Sequence, residues 1–158
     1  MGDSHIKDWF SSAQTTTTGT GSASTPGVRS TNILYIGSTT GRKLGTGTPL
    51  YIEILVATTL ASSGSNDAMD VWLASDDAEA FNTPATLHGV IATFPAVSAA
   101  GTRKIAVIPP ELALGKYIGL YYISQTTDAF SAGAMTARIL AANHQDGYTS
   151  YPLGYVVG

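Results

Sequence analysis

Leu50-Tyr51-Ile52-Glu53-Ile54-Leu55-Val56-Ala57-Thr58-Thr59 is the stretch that decides the fold class. In an extended chain, Leu50, Ile52, Ile54 and Val56 fall on one face, and Tyr51, Glu53, Leu55 and Ala57 on the other. The first face is uniformly apolar and belongs to a core. The second is mixed, as expected of a surface that meets a partner or another sheet.

The same rhythm continues on both sides. After the loop Ser62-Ser63-Gly64-Ser65-Asn66, a strand over Ala68–Ser75 sets Met69, Val71 and Leu73 against Asp70, Trp72 and Ala74. It runs into Asp76-Asp77-Ala78-Glu79-Ala80-Phe81-Asn82-Thr83-Pro84, an acidic turn with an aromatic anchor and a proline stop. One helical turn is expected over Asp77–Asn82, with Asp76 capping its first amides. Further strands are expected over Thr31–Gly37, Ala85–Phe94 (bent near Gly89), Thr102–Ile108, Lys116–Ser124 and Ala134–Ala141. Turn signals recur about every ten residues, and no sustained helical stripe or repeat interrupts them. The expected fold is all-β: a single jelly roll or β-sandwich domain with residues 31–141 as its body.

The two ends differ from that body. Residues 1–30 are expected to form a flexible N-terminal arm, because Thr15–Ser30 is a Thr/Ser/Gly run with almost nothing to bury. Ile6, Trp9, Phe10 and Ala13 have a spacing that suits either a helical face or an extended anchor. The arm reads as a plain linker or as a segment that orders on a neighbouring subunit through Trp9 and Phe10. Residues 142–158 form an aromatic C-terminal tail in which Tyr148, Tyr151, Leu153, Tyr155 and Val156 are candidate contact residues. The alternative for the tail is that it folds over its own barrel and covers a sheet edge.

Composition limits the function. Only 12% of the 158 residues are charged, about half the usual share, so hydroxyls and amides must make most of the surface. Such a surface suits contacts in which charges would be costly to desolvate. A net charge of −3, with the eight basic residues scattered, argues against nucleic-acid partners. The absence of cysteine rules out disulfides and thiol chemistry. Residues 1–30 carry no apolar secretory core, and no run is long enough to span a membrane as a helix, so neither export nor a membrane partner is expected.

Positive signs of catalysis are missing. There is no Gly-x-Ser-x-Gly elbow, and His5, His88 and His144 form neither a zinc pair nor a His-Glu-x-x-His motif. His88 reads as an ordinary strand residue. Asp76, Asp77 and Glu79 lack the EF-hand pattern and read as a capped, solvated turn. Gly41–Gly47 is glycine-rich but lacks the phosphate-binding lysine motif. The chain is expected to be no enzyme and to need no cofactor or metal.

Several ordered pieces together resemble the capsid cement, or decoration, proteins of tailed bacteriophages. Trp9-Phe10-Ser11-Ser12-Ala13-Gln14 is similar to the family's opening Phe-Ser-x-Ala-Gln stretch, and Gly45-Thr46-Gly47-Thr48-Pro49-Leu50-Tyr51-Ile52 to its glycine-rich lead into a strand. Ser75–Pro84 is similar to its acidic turn, and Ala100-Gly101-Thr102-Arg103 to a later turn. Lys116-Tyr117-Ile118-Gly119-Leu120-Tyr121-Tyr122 resembles an Arg-Tyr-Leu-Arg-Leu-x-Tyr strand, with Gly119 where a basic residue is usual. Tyr151-Pro152-Leu153-Gly154-Tyr155 resembles a Tyr-Pro-x-Gly-Tyr ending. The resemblance implies a jelly-roll protein made in a host cytoplasm and placed on the outer surface of a virion. Its partners would be the major capsid protein and itself, as a homodimer or homotrimer. The alternative is a carbohydrate- or receptor-binding β-sandwich module of a virion.

Overall fold

A computed structural model describes residues 9–17, 27–36, 42–43, 50–62, 67–81, 85–108, 112–126 and 130–140. In chain order the strands are β1 (Trp9–Thr15), β2 (Val28–Arg29), β3 (Leu34–Tyr35), β4 (Arg42–Lys43), β5 (Leu50–Ser62) and β6 (Ala68–Asp76). They continue with β7 (Thr86–Pro95), β8 (Arg103–Ile108), β9 (Ala113–Leu114), β10 (Tyr117–Ser124) and β11 (Phe130–Leu140). There is no helix among the described residues.

One sheet has the order β1-β11-β5-β8, and the other β2-β10-β6-β7 with β3 also on β10; β4 and β9 form a small separate pair. Every strand pairing is antiparallel. The β6–β7 pair lies innermost in sequence, and β5–β8, β2/β3–β10 and β1–β11 enclose it in turn. This nested hairpin, rolled so that β11 meets β5 and β10 meets β6, is a jelly roll.

The inner faces follow the expected alternation. Ile52, Ile54 and Val56 of β5 pack with Met69, Val71 and Leu73 of β6, Leu120 and Tyr122 of β10, and Met135 of β11. Tyr122 is fully buried, yet its phenol meets the Ser11 hydroxyl at 2.5 Å, so the sheets are tied across the core by a satisfied polar pair. Burial raises the Tyr122 phenol far above its ordinary range, against the smaller opposing effect of the Ser11 bond.

The expected arm over residues 1–30 is corrected in its described parts: Trp9–Thr15 and Val28–Arg29 belong to the body, and residues 1–8 lie outside the described residues. Trp9–Thr15 is the edge strand beside β11, and Phe10 is only 2% exposed within the core. Val28–Arg29 pairs with Tyr121 and Tyr122 of β10. Residues 18–26 and the tail from 141 onward lie outside the described residues.

The outer face of the β10-containing sheet carries its own small apolar layer. Ala74, Phe81, Tyr121 and Ile123 are buried there, with Trp72, Leu87 and Tyr117 packed against them. The acidic turn supplies the cover. Asp76 Oδ1 accepts the Ala78 amide at 3.0 Å, the cap expected from sequence. The helical turn expected beyond it is instead a tight turn in Asp77–Phe81, closed by the Phe81 amide on Ala78 O at 3.1 Å. Phe81 holds a φ of 49°, which costs a non-glycine residue about 1–2 kcal/mol. Burying its ring returns about 1.5–3 kcal/mol. The ring lies over Gly119, where an added Cβ would come within 3.2 Å of it. That close approach explains the glycine at this position.

Candidate interaction surfaces

The outer face of the other sheet has no such cover among the described residues. Register places Trp9, Arg138, Glu53 and Ile105 in one row across β1, β11, β5 and β8. Leu140, Tyr51 and Val107 form the row on one side, and Thr136, Leu55 and Arg103 the row on the other. Glu53 is buried at the centre of this face, and the guanidinium Nε atoms of Arg103 and Arg138 each contact one of its carboxylate oxygens. A buried carboxylate is tolerated only when paired in this way. Arg138 also lies 5.4 Å over the Trp9 ring. Trp9 is 40% exposed and Val107 53%, so apolar side chains meet solvent around a paired carboxylate. Trp, Tyr and Arg grouped on an apolar face are the residue types that dominate protein interfaces.

This apolar surface turns the corner at β8. Between the edge strands β7 and β8 lies a cleft of about 290 Å³, lined by Leu73, His88, Val90, Ile91, Val107 and Leu112 among others. A bulge in β7 shapes it: Leu73 faces Gly89 while Ala74 faces Leu87, leaving His88 as the extra residue. Gly89 takes up the bulge with a φ of 144°. The bulge brings His88 Nε2 to 2.6 Å from Ser75 Oγ, which also accepts the Gly115 amide at 2.9 Å. Burial lowers the His88 pKa and favours the neutral ring, which shares one hydrogen bond with the Ser75 hydroxyl. Ser75 is 2% exposed, and its hydroxyl is used to hold the cleft wall together. At the far end of the cleft, Lys104 reaches from β8 to the Thr93 carbonyl of β7, with Nζ 5.3 Å from the Phe94 ring centroid. A lysine across a sheet edge blunts further strand pairing there.

At one end of the sandwich, Asp67 ties three segments. Its carboxylate accepts from Ser62 Oγ, Ser124 Oγ and the amides of Ala68 and Thr126, at 2.8–3.3 Å. Burial pushes this carboxyl up, but the hydrogen bonds together outweigh it and hold its pKa below the ordinary value.

The expected contact residues separate. Trp9 stands on the open face, Phe10 is a core residue and is withdrawn as a contact, and Tyr148, Tyr151, Leu153, Tyr155 and Val156 lie outside the described residues. Sequence reading missed Glu53, Arg103 and Arg138 as a unit; only the mixed outer face of Leu50–Thr59 pointed toward it. Among the described residues, no group of three His, Cys, Asp or Glu side chains is placed to hold a metal ion. No protein-family model matches the chain, and no curated protein matches it.

Proposed function

We propose that this chain is a structural cement protein of a phage capsid, which binds the outer surface of the head, bridges major capsid subunits and stabilises the particle. The observation that carries the reading is the sheet face around Glu53, left without cover by the described residues, where Trp9, Tyr51, Leu55, Ile105 and Val107 surround a carboxylate paired with two arginines. An antiparallel sheet that ends in water is normally polar on its outer side. A face of this composition is stable in water yet gains by being covered, as a capsid subunit or a second copy would cover it. The low charge of the whole chain and the similarity of its motifs to decoration proteins support the same reading. Fold alone carries less weight, because jelly rolls serve many unrelated functions. In this role the protein acts through surface contact alone and catalyses no reaction.

The test is to mix the purified chain with undecorated phage shells and image them by cryo-microscopy. Copies bound at symmetry-related capsid sites, and lost on Val107→Asp, are the expected result. Shells that stay bare, or that bind Val107→Asp as well as the natural chain, overturn the proposal.

A further inference from the structure

On the opposite, covered face a second site is built from different chemistry. Tyr35 of β3 and Tyr117 of β10 are direct cross-strand partners, and their ring centroids lie 5.1 Å apart at 50°. Thr31, Asn32 and Ile33 come from the segment leading into β3, and Glu79 from the acidic turn. Together these six residues line a cleft of about 320 Å³, within the range of small-molecule sites. Tyr35 is 55% exposed, and Glu79 is exposed on its turn.

The cleft presents an aromatic surface beside an amide, a hydroxyl and a carboxylate. A pyranose ring has matching features: one face of C–H groups that packs on an aromatic ring, and a rim of hydroxyls that donate and accept hydrogen bonds. Asn32 supplies both a donor and an acceptor, Glu79 accepts two hydroxyls, and Thr31 does either. Charge narrows the class. Glu79 is the charged side chain among the six lining residues, so the cleft repels carboxylated or sulfated sugars. The same charge disfavours phosphate-bearing ligands.

We propose that the Tyr35–Tyr117 cleft binds a neutral pyranose unit of a glycan. Tyr35 and Tyr117 form the stacking surface, and Asn32 and Glu79 read the hydroxyls. The site faces away from the surface assigned to assembly, so it does not depend on the cement reading and stays open when the other face is covered.

The experiment uses the full chain in solution, without shells. Methyl glycosides of glucose, galactose, mannose and N-acetylglucosamine are titrated while amide and tyrosine ring signals are followed by NMR, alongside an array of neutral and sialylated glycans. Shifts confined to Asn32, Ile33, Tyr35, Glu79 and Tyr117, with neutral glycans preferred, are expected. Tyr35→Ala should weaken binding by roughly tenfold or more, and Asn32→Ala and Glu79→Ala by several-fold. Glu79→Gln should bring sialylated glycans into the bound set. The proposal fails if no neutral glycan binds, or if binding survives both Tyr35→Ala and Glu79→Ala.

Discussion

Replacing Phe10 by alanine separates a strand that belongs to the body from an arm that docks elsewhere. The ring is 2% exposed and packs in the main core, so its loss should cost about 3–5 kcal/mol, the usual range for a buried phenylalanine. Because β1 is the edge strand of its sheet, the site has room to collapse, which favours the lower end of that range. For a domain of this size each kcal/mol moves the melting temperature by about 2–4 °C, so a fall of about 6–20 °C is expected. Trp9→Ala is the internal control. Its side chain is on the surface, and losing its contact with the Arg138 guanidinium should cost about 0.5–1 kcal/mol. Thermal and urea unfolding of the two variants, followed by circular dichroism, give the comparison. An unchanged melting temperature for Phe10→Ala, with a protease clipping residues 9–17 from the otherwise intact domain, would refute the placement of β1.

Acid should weaken the fold in two stages. His88 is neutral in the fold and its pKa lies below the ordinary 6.5, so its contribution is present above that value and is lost as pH falls through the folded pKa. Asp67 follows below the ordinary 3.8, as its carboxylate takes up a proton and its hydrogen bonds fail; His88→Gln should remove the first stage and Asp67→Asn the second in urea titrations across pH. Lys104→Ala should raise concentration-dependent self-association in analytical ultracentrifugation, because the Thr93 carbonyl and the apolar cleft edge lose their guard; an unchanged sedimentation profile would count against that role. Gly119→Arg should displace Phe81 from the sheet and cost about 1–3 kcal/mol by overpacking, read as a lower urea midpoint; unchanged stability would show that the ring is not seated there.

The long strands were legible because period-two alternation survives in them. Leu50–Thr59, Ala68–Ser75, Ala85–Phe94, Thr102–Ile108 and Lys116–Ser124 each lie within two or three residues of β5, β6, β7, β8 and β10 at their ends. The strand expected from Ala134 begins earlier, at Phe130, across three register irregularities that break its alternation. β1 escaped notice for a similar reason. Its pairing with β11 shifts twice, and Ala13 sits at a φ of 46°, so Trp9, Phe10 and Ala13 do not alternate as a regular strand would. The ion cluster was illegible for a different reason. Periodicity assigns Glu53 to a face, but only the register of β5 with β8 and β11 brings Arg103 and Arg138 to it. The Ser75–His88 contact depends likewise on a single bulge, which a run of one-letter residues does not announce.

The two outer faces divide the labour of the sandwich. One is closed by the chain itself: the acidic turn folds back, accepts strain at Phe81, and seats the ring in the gap left by Gly119. A protein that needed only to be soluble would treat its other face alike, or make it polar. Instead that face keeps Tyr51, Leu55, Ile105 and Val107 around a carboxylate that is already fully engaged. Glu53 therefore makes little demand on water, while its two guanidinium partners leave the cluster with one excess positive charge. Lys104, which guards the β7–β8 edge, limits uncontrolled strand pairing without covering the valines of the cleft. A stiff plate with an apolar side whose ion cluster carries a single excess positive charge is suited to lie flat on a partner, as the proposed cement role would require.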